Sequence, residues 1–170
     1  MIQTALVTMG AVSGSRDYLC YTDGSCKSGN GAPGGWGFYI KPPSGDAIEG
    51  RGHAVSTLAK IMEYRAVAEA LAMLPEGVRA VVFSDNESLV QNLTRQLENW
   101  RVSNFVNVDP DVASSARSID ASITEKKLVV RFQWVRSHNG NAGNERADEL
   151  ATGAAREAKA TLKRSDIKPR

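Results

Sequence analysis

The chain has 170 residues, 42% of them hydrophobic and 24% charged, with a formal net charge of +2. That is the size and composition of one soluble globular domain with a substantial core. No apolar run approaches the roughly 18 to 20 residues of a membrane span. The opening MIQTALVTMGAVSGSRD lacks the basic start and long apolar core of a signal peptide. Cys20 and Cys26, the only two cysteines, form neither a disulfide framework nor a zinc pattern. Membrane, secreted and zinc-module classes are excluded, and a cytoplasmic monomer is expected.

Charge is unevenly placed. Residues 156–170, REAKATLKRSDIKPR, hold six Lys/Arg against two acids, while the rest of the chain is slightly acidic. Three segments are expected: a loose lead-in over 1–16, a domain over 17–155 and a basic tail over 156–170. A basic tail touches nucleic acid or is simply solvated.

In chain order, Tyr18 to Thr22 reads as a strand, followed by a glycine-rich loop and a second strand from Trp36 to Lys41. A turn at PPSG (42–45) leads to a third strand over Ala47 to Val55. Apolar residues at helical spacing run from Leu58 to Leu74, where Pro75 and Gly77 end the helix. VRAVVFSD (78–85) is a continuous apolar run, as in a buried central strand. A helix is expected over Asn86 to Leu97, no clear element over 98–110, and a helix over Val112 to Ile123. LVVRFQWV (128–135) alternates as a strand, and a last helix runs from Asn144 to about Lys163. The order defines an α/β domain with a five-stranded mixed sheet flanked by helices.

The loop contains a literal G-x-G-x-x-G at Gly29, Gly31 and Gly34. A dinucleotide site needs a helix next, because the phosphate binds at the helix N-terminus. Here the strand WGFYI follows, and no G-x-x-x-x-G-K-[ST] exists. A phosphate-cradling loop is therefore excluded.

Four carboxylates occupy apolar surroundings instead. Asp23 and Asp85 end strands. Glu63 lies on the stripe Ala59, Glu63, Val67, Ala70, Leu74, and Asp148 on the stripe Asn144, Asp148, Ala151, Ala155. A core-facing carboxylate is costly unless paired or metal-bound. Four separate arginine or backbone partners would satisfy them one by one. Convergence on a divalent cation is the more economical account, since mutual repulsion would otherwise oppose ionisation. Oxygen donors without cysteine favour Mg²⁺, with Mn²⁺ as an alternative, over zinc. On this reading Asp23 is a metal ligand, and the neighbouring glycines let a polymer approach.

TDGS (22–25), Glu63 in MEYRAVAEAL, SDNESLV (84–90) and HNGNAGNERADELA (138–151) resemble ribonuclease HI. The resemblance spans about 18–155, and its most specific part is the block from His138 to Asp148. It implies a ribonuclease H-like fold and an endonuclease that cuts the RNA strand of RNA–DNA hybrids, leaving 5′-phosphate and 3′-hydroxyl ends. It places two Mg²⁺ ions on Asp23, Glu63, Asp85 and Asp148, and proton transfer or product release on His138. Gly24, Ser25 and Glu63 would recognise the 2′-hydroxyl. Asn30, Lys60 and Asn144 would join the substrate-binding set, and few base contacts would make cleavage weakly dependent on sequence. His53, outside any motif, is expected to be structural or exposed.

The chain departs from the family pattern in several places. Leu58-Ala59-Lys60 stands where many relatives carry Thr-Asn-Asn, with Lys60 as a substitute phosphate contact. Glu87 replaces a neutral polar residue. Leu93 to Pro110 contains only Arg95 and Arg101 against Glu98 and Asp109, so the family's basic protrusion is missing. No hybrid-binding segment is legible ahead of residue 18, and weak substrate affinity is expected. A non-catalytic hybrid-binding module would not need four clustered acids facing a polyanion. A DNA-cutting recombinase or transposase of related fold usually has a different carboxylate order and lacks the His138 block.

Overall fold

Residues 16–27 and 31–166 are described by the computed structural model. The lead-in before residue 16 and Asn30 of the glycine loop lie outside them.

Five strands and four helices follow one another as β1 (Tyr18–Cys26), β2 (Ala32–Lys41), β3 (Ile48–Thr57), α1 (Ala59–Ala72), β4 (Arg79–Ser84), α2 (Glu87–Val102), α3 (Pro110–Glu125), β5 (Val129–Trp134) and α4 (Ala142–Ser165). They form one mixed sheet in the order β3-β2-β1-β4-β5. β1, β2 and β3 are a meander of antiparallel neighbours, whereas β1–β4 and β4–β5 are parallel.

The two faces of the sheet follow from strand alternation. Cys20, Phe38 and Ile40 join Tyr64, Val67 and Leu71 of α1 in the core on one face. On the opposite face Gly35, Gly37 and Tyr21 meet α4. A Cβ at Gly37 would stand 2.7 Å from Ala151 N and 2.8 Å from Ala147 O, and one at Gly35 2.4 Å from Ala151 O. These glycines are strand residues that bring α4 onto the sheet. The expectation that they open the surface to a polymer is corrected here for Gly35 and Gly37. What approaches them is the chain's own helix.

The same contacts explain where the sequence reading stopped short. Glycines read as loop, yet Gly34 to Gly37 pair with Asp23 to Cys26, so β1 runs four residues beyond Thr22 and β2 starts at Ala32. The unclear stretch resolves into the end of α2, a turn and the start of α3. Asn104 and Phe105 take positive φ in that turn. Phe105 is buried there beneath the Arg117 guanidinium, 4.8 Å from its ring centroid. Asp109 caps α3 by accepting from Asp111 N–H, with Pro110 at the first helical position. On the α1 stripe, Glu63, Val67, Ala70 and Leu74 are buried, but Ala59 in the first turn is exposed. Residues 156–165 continue α4, which runs two residues past the expected end at about Lys163.

Candidate active site

Parallel pairing of β1 with β4 ends at Tyr21 and Phe83. Two residues later in each stretch stand Asp23, still in β1, and Asp85, just past the end of β4, at matching positions. β1 continues along β2, while β4 stops at Ser84. The gap opens at the carboxyl ends of parallel strands, beside the strand where the sheet changes direction, the usual place for a ligand in an α/β sheet.

Each carboxylate is held by its own element. Asp23 is buried and accepts from Gly24 N–H at 2.9 Å. Asp85 follows fully buried Ser84, whose hydroxyl accepts from Asn86 N–H at 3.1 Å. Asn86 caps α2 by accepting from Leu89 N–H, and Trp134 Nε1–H donates to the Asp85 carbonyl at 3.1 Å. Glu63 arrives on α1, which can come this near because residue 24 is glycine. A Cβ there would lie 2.4 Å from Glu63 N. Asp148 projects from the second turn of α4.

Ligand oxygens of Asp23, Glu63 and Asp85 all lie within 4.8 Å of one another. Asp148 flanks this trio, near enough for its side chain and charge to act on Asp23. Burial, then the charge of Asp85 and the contacts with Asp148, push Asp23 up to about 8. Glu63 is raised well above the ordinary carboxylate range by burial and then by Asp23 and Asp85. Asp85 is raised by burial and by Asp148, while His138 acts in the opposite direction. Among the described residues no lysine or arginine pairs with the trio. Glu63 Oε2 is buried without a hydrogen-bond partner among the described residues. An all-oxygen donor set, crowded and short of positive charge, fits a divalent cation.

The remaining expected site residues are more dispersed. His138 is exposed at positive φ in the loop before α4, near enough for its charge to act on Asp85. Ser25 is half-buried on the Asp23 side of β1. Asn144 is buried, its N–H bonded to Asn141 Oδ1 and its own Oδ1 unpartnered. Lys60 is engaged with Asp109 at 2.6 Å and Asp111 at 2.9 Å, so its charge is already matched. Arg101 is likewise paired with buried Asp120. The supports of Asp85 were missed in the sequence, although Asn86 ahead of a helical run was a legible capping signal.

A parallel-strand gap lined by three converging carboxylates and flanked by Asp148, on an α/β scaffold, is compatible with a metal-dependent nuclease. The RNase H family matches residues 15–156. A ribonuclease H of Bordetella avium is 36% identical over 134 residues, covering 77% of this chain and 85% of its own. The chain belongs to the RNase H family. Among solved structures, LC9-RNase H1, a type 1 RNase H with the type 2 active-site motif, superposes with a TM-score of 0.70 at 25% identity over 85% of this chain and 74% of its own. LC11-RNase H1, solved in complex with an RNA/DNA hybrid, gives 0.60 at 22% over 84% and 99%.

Proposed function

We propose that this protein hydrolyses the RNA strand of RNA–DNA hybrids, leaving 5′-phosphate and 3′-hydroxyl ends, with Asp23, Glu63, Asp85 and Asp148 holding two Mg²⁺ ions. The observation that carries the reading is the convergence of three carboxylates within 4.8 Å, flanked by Asp148. Bound cations at such a site activate an attacking water and stabilise the leaving oxygen.

The protein's own part is positioning. Asp23 and Asp85 are fixed by strand ends and their hydrogen bonds, which keeps the donor set in place without reorganisation. Glu63 and the backbone at Gly24 and Ser25 line the gap where a 2′-hydroxyl would be read. His138, on an exposed loop beside Asp85, is free to carry a proton to or from the reacting oxygens. The converging carboxylates form a complete donor set without a residue from a second copy, and the reading takes the protein to act as a monomer. Cys20 is buried with its thiol pushed up to about 12, and Cys26 is unpaired, as suits a reducing cytoplasm.

Purified protein with Mg²⁺ should cut hybrid in preference to duplex DNA, duplex RNA and single strands. Asp85→Asn should remove hydrolysis while retaining the fold. Cutting of duplex DNA in place of hybrid, or near-normal turnover by Asp85→Asn, would overturn the reading.

A further inference from the structure

Beyond the carboxylates, α4 and β1 form the walls of a groove of about 390 Å³ that includes Ser25, Lys27, Pro33, Thr152, Arg156 and Lys159. We infer that this groove binds backbone phosphates of the nucleic acid strand whose scissile phosphate lies on the carboxylates. The inference rests on the proposed nuclease reading and adds to it a substrate-binding site built partly from the far half of α4.

Register brings these residues together. Asp23, Ser25 and Lys27 alternate onto one side of β1 and its exit. Asp148, Thr152, Arg156, Lys159 and Lys163 fall on one broad stripe of α4 at about 100° per residue. Two lines therefore leave the metal site side by side. Each passes from a carboxylate through a hydroxyl to one or more cations. The α4 line extends roughly 16 Å from Asp148 to Lys159 at about 1.5 Å per residue. That length holds several phosphates of one strand, which recur at about 3.4 Å of duplex axis.

The cations are available. Lys27, Arg156 and Lys159 are exposed, and none has a carboxylate partner among the described residues. Glu157, the acid nearest in sequence, turns away to Arg51 and His53. Thr152 spends its hydroxyl proton on the Asp148 carbonyl at 2.8 Å. Among the described residues the Ser25 hydroxyl makes no internal hydrogen bond, which leaves its proton for a ligand. Lys60 is spent on Asp109 and Asp111, and Arg101 on Asp120, whereas exposed Arg136, in the loop that carries His138, has no carboxylate partner among the described residues. Along α4 and β1, a polyanion leaving the carboxylates meets the unmatched charges of Lys27, Arg156 and Lys159 in this groove.

The test measures binding in Ca²⁺ across a salt series for wild type, Arg156→Ala/Lys159→Ala, Lys27→Ala and Arg164→Ala, using hybrid, duplex DNA and single-stranded RNA as separate probes. Arg164 lies about 160° around the helix from Asp148 and serves as the control. The double variant should lower the slope of log affinity against log salt by about 1.4 to 1.8, and Lys27→Ala by about 0.7 to 0.9. Arg164→Ala should stay near wild type in binding and in turnover with Mg²⁺, while KM for hybrid should rise in the double variant and in Lys27→Ala. Equal slopes and affinities for wild type and the double variant would overturn the groove, as would an equal loss with Arg164→Ala. Wild type preferring duplex DNA would instead overturn the hybrid reading, while the slope comparison on that probe still decides the groove.

Discussion

His138 sits at positive φ on an exposed loop and acts on the site through its charge at Asp85. A group so placed can exchange protons with bulk water and with the reacting oxygens without being a fixed ligand. His138→Ala should slow turnover by about 10²-fold, within the usual range for a positioned proton-transfer group. Metal binding followed by calorimetry should stay at the wild-type level, and a lost isotherm would mean that the histidine holds the ion. The four carboxylates were legible in the sequence because each interrupts an otherwise apolar pattern, and an acid in a core stripe demands an explanation. Lys60 was not, because the two aspartates that claim it lie about fifty residues away and only the fold brings them near. Asn30 remains an expectation from the sequence.

At the level of elements, the meander, the four helices and the central strand were readable from period and punctuation. The lengths of β1 and β2 were not. Glycine has no side chain to declare a strand, and the reason for Gly34 to Gly37 lies in packing partners distant in sequence. The groove was invisible for a related reason, since Lys27 and Arg156 become neighbours only once α4 lies on β2. That docking also sets where Asp148 stands. In Gly37→Ala the new methyl would meet backbone of α4 at 2.7 to 2.8 Å, and backbone cannot swing aside as a flexible side chain does. Overpacking of this kind costs about 1 to 3 kcal/mol. The larger effect should be on catalysis, because a shift of about 1 Å in a reacting constellation costs about 10²-fold. Thermal melts and turnover measured together should show activity falling further than stability predicts. A variant that melts early yet turns over normally would show that Asp148 tolerates the displacement.

Across the whole molecule, the carboxylate cluster couples stability to pH. Asp23 is raised to about 8, and Glu63 and Asp85 are raised with it, by burial and mutual charge. Their unfolded counterparts titrate near the ordinary value of about 4. The stabilising share of these groups is therefore complete below about pH 4, declines above it as the unfolded chain ionises, and is lost as pH rises through the folded values. Metal-free Asp23→Asn should melt above wild type at pH 8 and close to it at pH 4.5, each kcal/mol of relieved repulsion being worth about 2 to 4 °C. Mg²⁺ should raise the wild-type Tm at pH 8 and narrow the gap. An equal Tm difference at both pH values would remove repulsion as its cause. The early end of β4 has one more consequence. Past Tyr21, β1 pairs on one side only, so the middle of the sheet holds a short free edge of the kind that invites strand addition and aggregation. That edge is only five residues long, Thr22 to Cys26, and with α1 packed close against Gly24 it gives an incoming strand little to pair with.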